Sequence, residues 1–283
     1  DYWFRPIHSR VGPDGALYVV DFYNQIAVHN DTRGPKVGHG AHNAAVRHAL
    51  HVLGGAAGTT ELLRLAAPLA RPGIRLVQRG NPLPHFDVHC PLLSIPGVLA
   101  CELDTIPPPG DELAPDPELV RAWKERLGQG GGLRVGLVWA GNPQHGNDHH
   151  RSFRPLAFGP LLDVPGVRFF SMQKNRREGD DADLARLGKV EDIAPLLTDF
   201  AESAAALCAL DLLVAADTSI VHLAGAIRRP VWTMVPFSPD WRWMLGRDDT
   251  PWYPSMRLFR QPRQRDWKSV FARVAEELAR FRR

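Results

Sequence analysis

The sequence predicts an α/β protein built on a parallel sheet, and the clearest observation is a strand, helix and strand in succession. An apolar run of Leu210 and Leu212 to Ala216, expected for a strand buried on both faces, stops at the polar turn Asp217-Thr218-Ser219. Apolar residues at helical spacing then follow between Ile220 and Ile227, and Val231 to Val235 is the next apolar run. Elements in this order form a βαβ unit with parallel strands.

Two further observations support the same fold class. Strands are also predicted at Leu133 to Trp139, Val167 to Ser171 and Ser255 to Phe259. Helical patterns alternate with these strands at Glu118 to Leu127, at Asp199 to Ala209 and after Asp266, and Asp199 and Asp266 are the expected helix caps.

The turn at Asp217 has suitable chemistry for binding a phosphate. It lies at the carboxyl end of a strand, where open α/β sheets bind ligands, and it begins a helix whose free N–H groups and positive dipole end attract anions. Thr218 and Ser219 add hydroxyl donors, and His222 is placed to reach the same anion. The alternative is that Asp217 and Ser219 only cap the helix while His222 packs under a neighbouring loop.

A second polar strand end follows Trp139. Gly141 permits a close approach to a ligand, and Asn142 offers a side-chain amide. The loop after it, up to Phe153, is polar and predicted to be mobile.

Several stretches between residues 133 and 262 resemble one family in order and spacing: GLVWAGNP, RSF, FFSMQK, DTSIVHLAGA and PDWRWMLGRDDTPWYPSMRLFRQ. They resemble the carboxyl-terminal domain of GT-B glycosyltransferases. Within these enzymes they are similar to the bacterial ADP-heptose heptosyltransferase group, glycosyltransferase family 9, often attached to tetratricopeptide repeats. A more distant likeness is to O-linked N-acetylglucosamine transferases.

The resemblance implies a GT-B type Rossmann-like domain with a parallel sheet, preceded by a truncated first Rossmann-like half. It implies transfer of a sugar from a nucleotide-diphosphate sugar to an unknown acceptor, without a metal or other cofactor. Arg151 becomes the candidate for the diphosphate, and Gln173 and Lys174 become donor contacts. The expected donor-binding set is therefore Asn142, Arg151, Gln173, Lys174, Asp217, Thr218, Ser219 and His222.

The catalytic residues are not identified, because the family's glycine-rich first strand and the acidic residue after it have no match in residues 1–72. An alternative function is therefore a truncated, inactive module that binds nucleotides or serves in interactions. The alternative for Arg151 and Lys174, considered individually, is that they are ordinary surface residues.

The amino-terminal part has a different pattern. Pro13-Asp14-Gly15 leads into an alternating strand around Leu17 and Val19. Residues 1–47 resemble a single blade of NHL or sugar-dehydrogenase propellers, and a propeller-type dehydrogenase is a third hypothesis. We expect this blade to be a remnant or a fusion artefact, in a chain that begins at Asp1 and is expected to be a fragment or a processed product.

The predicted domains are residues 1–47, a partial amino-terminal GT-B domain at 48–117, a nucleotide-sugar-binding domain at 118–265, and a terminal helix at 266–283. The link near residue 107 is rich in proline. A strand is predicted from Gly73 to Val77, and the prolines around His85 to Cys90 predict an irregular loop.

Composition limits the function classes. The chain has 283 residues, 44% of them hydrophobic, and a net charge of +3 without a sustained basic run, which argues against nucleic acid as the main partner. Its 3 scattered cysteines indicate a reducing compartment, so we expect a cytoplasmic protein. No apolar run reaches the roughly 18 residues that would predict a membrane-spanning helix.

Two residue groups have competing interpretations. His39, His42, His48 and His51 have helical spacings that could hold a metal, but without a nearby carboxylate or cysteine a solvated face is preferred. Trp241, Trp243, Trp252 and Tyr253 could form a nucleobase platform, although packing is the preferred interpretation for most of them.

Overall fold

A computed structural model describes residues 100–281, apart from 107, 111, 112 and 129, and three strands nearer the amino terminus. The chain divides into two compact units, residues 1–114 and 115–283. The histidine-rich segment and the predicted strand at Gly73 to Val77 lie outside the described residues, as do most residues of the truncated first Rossmann-like half.

The first unit contains an antiparallel sheet with strand order β2-β1-β3. Its strands are β1 (His8–Val11), β2 (Leu17–Val19) and β3 (Val88–Pro91). The strand predicted around Leu17 and Val19 is confirmed. The irregular loop predicted at residues 85–90 is wrong for its last part, because β3 pairs with β1, with Cys90 opposite Ser9. Pro91 belongs to an edge strand of this sheet, where proline is tolerated.

The second unit is built on a six-stranded parallel sheet with strand order β6-β5-β4-β7-β8-β9. Its strands are β4 (Leu133–Val138), β5 (Val167–Ser171), β6 (Val190–Asp192), β7 (Leu212–Ala216), β8 (Val231–Val235) and β9 (Met256–Arg260). The α/β class with a parallel sheet is therefore confirmed. All residues of β7 and β8 are buried, as expected for strands covered on both faces.

Helices cover both faces of this sheet. They are α1 (Pro117–Leu127), α2 (Asp148–Arg151), α3 (Gly159–Leu162), α4 (Asp180–Leu187), α5 (Phe200–Ala209), α6 (Ser219–Ala226) and α7 (Trp267–Arg280). Asp199 and Asp266 cap α5 and α7, each accepting a hydrogen bond from a backbone N–H of the first turn. None of the helices in the described part of the chain is long and apolar enough to cross a membrane.

The main apolar core lies between the sheet and α7. Phe271 of α7 packs edge to face against Phe153 and Phe158, with ring centroids 4.9 and 5.3 Å away. Elsewhere in the unit, α1 and α5 are joined by a hydrogen bond of 2.6 Å from the indole of Trp123 to Glu202. These contacts make the sheet a rigid support for the loops at its carboxyl edge.

The order of the strands fixes where a ligand cleft can form. The chain runs from β4 outward to β5 and β6 on one side, and from β7 outward to β8 and β9 on the other. The neighbouring strands β4 and β7 therefore form the topological switch point, where loops at the carboxyl ends diverge and leave a crevice.

Candidate functional site

The turn after β7 combines an available helix start with an unused buried hydroxyl. Thr218 is the N-cap of α6, with extended backbone (φ −143°, ψ 175°), but its side chain does not cap the helix. Its Oγ1 is buried and has no hydrogen-bond partner within the described part of the chain. Ser219 and Ile220, the first helical residues, are partly exposed. The N–H of Val221 donates to the carbonyl oxygen of Thr218 at 3.2 Å, whereas the N–H groups of Ser219 and Ile220 precede the first intrahelical acceptor and are available to an anion.

Arg151 connects this turn to the loop after β4. Its Nη1 donates a hydrogen bond of 2.8 Å to the carbonyl oxygen of Asp217, and its Nε lies 3.5 Å from Asp148 Oδ1. The Arg151 Nε is itself buried without a hydrogen-bond partner among the described residues. A guanidinium group is thus fixed at the positive end of α6, across the switch point between β4 and β7.

Asp148 holds two arginines together. It is 4% exposed, and its two oxygens accept hydrogen bonds from Ser152 Oγ, at 2.8 Å, and from Arg177 Nη2. Arg177 Nη2 also lies 3.2 Å from Ser152 Oγ and from the carbonyl oxygen of Gly141. No local motif marks Arg177 in the sequence, because its partners are about thirty residues away in the chain.

Gly141 is needed for this packing. A Cβ atom at this position would lie 2.7 Å from Arg151 Nη2 and 3.0 Å from Asp148 Oδ1. The close approach expected at this glycine is therefore made by the protein's own Arg151 and Asp148.

Gln173 is a buried clamp between the ends of β4 and β5. Its Oε1 accepts hydrogen bonds from the N–H groups of Trp139 and Ala140, at 3.0 and 2.9 Å. Its Nε2 donates to the carbonyl oxygens of Ala140 and Asn175, both at 3.0 Å. The amide oxygen and the amide nitrogen of Gln173 each make two hydrogen bonds to the main chain. A contact between Gln173 and the sugar donor stays a prediction.

Lys174 lies at a different point along the sheet edge from Arg151. Its Nζ donates a hydrogen bond of 3.1 Å to the carbonyl oxygen of Thr198, in the loop after β6. It lines an open cavity of about 300 Å³ with Gln173, Arg176, Asp192, Ala194, Pro195, Leu197 and Thr198. The structure therefore does not bring Lys174 to the contact between Arg151 and Asp217. Gln173 lies between the two, because it lines the cavity beside Lys174 and also bonds to the end of β4, the strand that leads into the Arg151 loop.

Asn142 begins an ordered turn in the loop after β4. Its Oδ1 accepts a hydrogen bond of 2.9 Å from the N–H of Gln144, and its carbonyl oxygen accepts from the N–H of His145 at 3.0 Å. The residue is exposed on the same loop that carries Arg151. The loop ends in the short helix α2, which positions Asp148 and Arg151.

His222 lies inside the protein, one turn into α6. It is 3% exposed, its ring stacks on Trp243 with centroids 5.2 Å apart, and its Nδ1 is 3.2 Å from the hydroxyl of Tyr253. These contacts match the alternative in which His222 packs under a neighbouring loop. A direct contact with a ligand stays a prediction.

The aromatic residues after β8 divide into two groups. Trp243, Trp252 and Tyr253 are buried, as the packing interpretation expected, whereas Trp241 is 40% exposed. Trp241 packs edge to face on Trp252 and lies under the guanidinium of Arg242.

The electrostatics of the cleft centre on Asp217. Burial raises the pKa of this carboxyl, while the nearby indole of Trp243 and the guanidinium groups of Arg151 and Arg242 lower it in part. Asp240 raises this pKa further and pairs with Arg242 at 2.7 Å. Arg242 is a second cation near the turn; it lies in the last of the stretches that resemble the family, and no site role was predicted for it.

Comparisons with known proteins give partial matches. Residues 1–57 match a family described as a domain of unknown function, DUF7133. Protein FlbA of Caulobacter vibrioides is 33% identical over 175 residues, covering 60% of this chain and 29% of FlbA. The chain thus spans less than a third of the length of that relative.

Two similar solved structures are heptosyltransferases. ADP-heptose lps heptosyltransferase II of E. coli has 16% identity and a TM-score of 0.43, covering 59% of this chain and 51% of that one. E. coli heptosyltransferase WaaC with ADP-2-deoxy-2-fluoro heptose has 19% identity and a TM-score of 0.37, covering 56% and 47%.

Proposed function

We propose that the chain is a heptosyltransferase-like glycosyltransferase that binds a nucleotide-diphosphate sugar and transfers the sugar to an acceptor. The observation that carries the proposal is the hydrogen bond from Arg151 to the carbonyl oxygen of Asp217. This contact fixes a cation beside the N-terminus of α6, at the switch point of a parallel sheet. Both features favour a phosphate group, and they act on the same point.

In this proposal the diphosphate lies against the first turn of α6. The N–H groups of Ser219 and Ile220 and the unused hydroxyl of Thr218 donate to its oxygens. Arg151 offsets the negative charge that grows on the nucleotide as the bond to the sugar breaks. Because this charge is already fixed in place, the proposed transfer uses no metal cofactor.

The nucleoside half is proposed to occupy the cavity beside Lys174. Its volume of about 300 Å³ is at the small end of the range for small-molecule sites. Lys174 and the main chain near Thr198 offer polar contacts, and Pro195 and Leu197 offer apolar ones. Gln173 lies between the cavity and the end of β4. It would hold the nucleoside cavity in a fixed position relative to the diphosphate position at α6.

The proposal is tested by calorimetric titration of the whole chain with UDP, ADP and GDP. We expect one nucleotide to bind, and we expect Arg151→Ala to weaken binding about tenfold or more, since charged hydrogen bonds contribute about 1.5–3 kcal/mol. Circular dichroism and urea unfolding would verify that the variant is folded.

A matched pair at Ser219 tests the helix start separately. Ser219→Pro removes the first N–H of α6 but suits this position, because proline fits the first residue of a helix and Thr218 before it is already extended. Ser219→Ala keeps the N–H and removes only the hydroxyl. We expect the proline variant to bind more weakly than the alanine variant.

Absence of binding by the folded wild-type chain would contradict the proposal. Binding without sugar transfer, in assays with the corresponding sugar nucleotides, would instead favour the inactive nucleotide-binding module.

A further inference from the structure

The loop that carries Arg151 also contains a histidine held in a defined turn. The N–H of His145 donates to the carbonyl oxygen of Asn142 at 3.0 Å, and the carbonyl oxygen of His145 accepts from the N–H of Asp148 at 2.9 Å. The N–H of Asn147 lies 3.2 Å from His145 Nδ1 and donates to it. Three hydrogen bonds therefore fix the backbone and one ring nitrogen of His145.

These contacts assign the tautomer of the ring. A backbone N–H can only donate, so Nδ1 must be the unprotonated nitrogen that accepts. In the neutral ring the proton then belongs to Nε2, which becomes a directed hydrogen-bond donor.

His145 lies near charged groups of the site described above. The charged groups that act on it are Arg151 and Asp148 of its own loop, Asp217 after β7 and Asp240 after β8. The residue is nevertheless exposed enough for a ligand to reach it. Burial of the ring and the charge of Arg151 lower its pKa, which favours the neutral donor form at neutral pH.

We infer that His145 donates its Nε2–H to the diphosphate and is a further hydrogen-bond donor of the site at the first turn of α6. The inference rests on the proposed function and adds a donor-binding residue to it. Arg151, from the same loop, and the N–H groups of α6 would hold the anion, and the Nε2–H of His145 would donate to it as well. Asp148 links the two parts of the loop, because it bonds to His145 through its N–H and contacts Arg151 through its carboxylate.

Two substitutions separate the donor from the turn. In His145→Asn the side-chain oxygen can accept from the N–H of Asn147 as Nδ1 does, so the turn is kept while the donor is lost. In His145→Gln the amide nitrogen takes the approximate place of Nε2, so the donor is kept. We expect Asn to weaken binding of the nucleotide diphosphate about tenfold, the loss of one hydrogen bond to a charged group, and Gln to bind within about twofold of wild type.

A second readout uses inorganic pyrophosphate and the ¹⁵N resonances of the histidine rings. The His145 signals are assigned by their absence from the His145→Asn chain. We expect the free protein to show the tautomer with the proton on Nε2, and pyrophosphate to shift the Nε2 resonance more than that of Nδ1.

The outcomes distinguish this inference from the proposed function. If wild type and His145→Asn bind a nucleotide equally well, the role of His145 is wrong and the proposed function stands. Equal weakening by Asn and Gln would also overturn the donor role. If no nucleotide binds but pyrophosphate shifts the Nε2 resonance of His145, the contact of His145 with a diphosphate is supported and the proposed function as a glycosyltransferase is wrong. If neither probe binds, both fail.

Discussion

Gln173 lies beside the candidate ligand site, but its side chain is used to hold the main chain in place. Its amide oxygen accepts from two buried N–H groups at the end of β4, and its amide nitrogen donates to two carbonyl oxygens. A buried N–H without a partner costs about 1–3 kcal/mol. We therefore expect Gln173→Leu to lower the free energy of unfolding by about 2–4 kcal/mol, measured by urea titration. Lys174→Ala, at the exposed neighbour, is the control and should change it by less than about 0.5 kcal/mol.

Asp217 and Asp266 should give opposite dependences of stability on pH. Burial raises the pKa of Asp217, whereas hydrogen bonds from the N–H and hydroxyl of Ser269 lower the pKa of Asp266. The folded state therefore holds the Asp217 proton more tightly than the unfolded state, and the stability from this group is lost as the pH rises through the folded pKa. The contribution of Asp266 is instead present above its unfolded pKa and is lost as the pH falls through its folded pKa.

Asparagine at each position tests these signs. Asp217→Asn should make the chain more stable at neutral pH and flatten the decline of stability with rising pH. Asp266→Asn should make it less stable at neutral pH, although asparagine still caps a helix. Urea unfolding between about pH 3 and pH 8 measures both dependences. A decline in stability at neutral pH on Asp217→Asn would show that the carboxylate is favourably ionised in the folded chain.

The sequence indicated the Asp217 turn and Arg151, but it did not indicate Asp148, Arg177 or Arg242. The first two follow from local rules, since a strand end, a helix start and a family motif mark them. Asp148 and Arg177 come together from two different loops, and Arg242 is brought near the Asp217 turn from the loop after β8. Arg177, for example, meets Asp148 and Gly141 across the end of β4.

The position of helix α6 depends on a close contact between Gly225 and the loop after β8. A Cβ at Gly225 would lie 2.4 Å from Cγ of the buried Tyr253, whose hydroxyl is near His222. We expect Gly225→Ala to cost about 1–3 kcal/mol of stability or more, because the ring or the helix must move. Displacement of the helix should also weaken nucleotide binding at its N-terminus.

Gly159→Ala is the matched control for that substitution. Gly159 has helical backbone angles, and a Cβ there would meet nothing within 4 Å. Alanine should leave stability unchanged or raise it by about 0.4–1 kcal/mol. Thermal or urea unfolding measures the stability of both variants. A similar loss of stability in Gly225→Ala and Gly159→Ala would mean that the contact with Tyr253 is not what makes Gly225 necessary.

The long buried strands and the capped helices could be predicted, and the short exposed elements could not. The bounds of β5 and β8 agree with the apolar runs, and the caps of α5 and α7 are the expected aspartates. The charge-rich stretch at residues 176–183, for which no helix is predicted, contains the start of α4. Its Asp180 is buried because it accepts a hydrogen bond from the indole of Trp139, a partner that no local pattern reveals.

The second compact unit, residues 115–283, contains the six-stranded sheet, its main core and every residue of the candidate site. We expect this part of the chain to fold when produced alone and to bind the same nucleotide as the whole chain. Cooperative urea unfolding and calorimetry would test this. A fragment that remains unfolded would mean that residues 1–114 contribute to its stability.

The switch point also has a consequence for how the protein opens. Strands β4 to β6 are continuous in the chain, and so are β7 to β9; within the sheet the two groups meet only where β4 pairs with β7. Arg151 and the Asp217 turn stand on opposite sides of that seam. A ligand held by both would act as a clamp, so we expect the amide hydrogens of β4 and β7 to exchange more slowly once it binds.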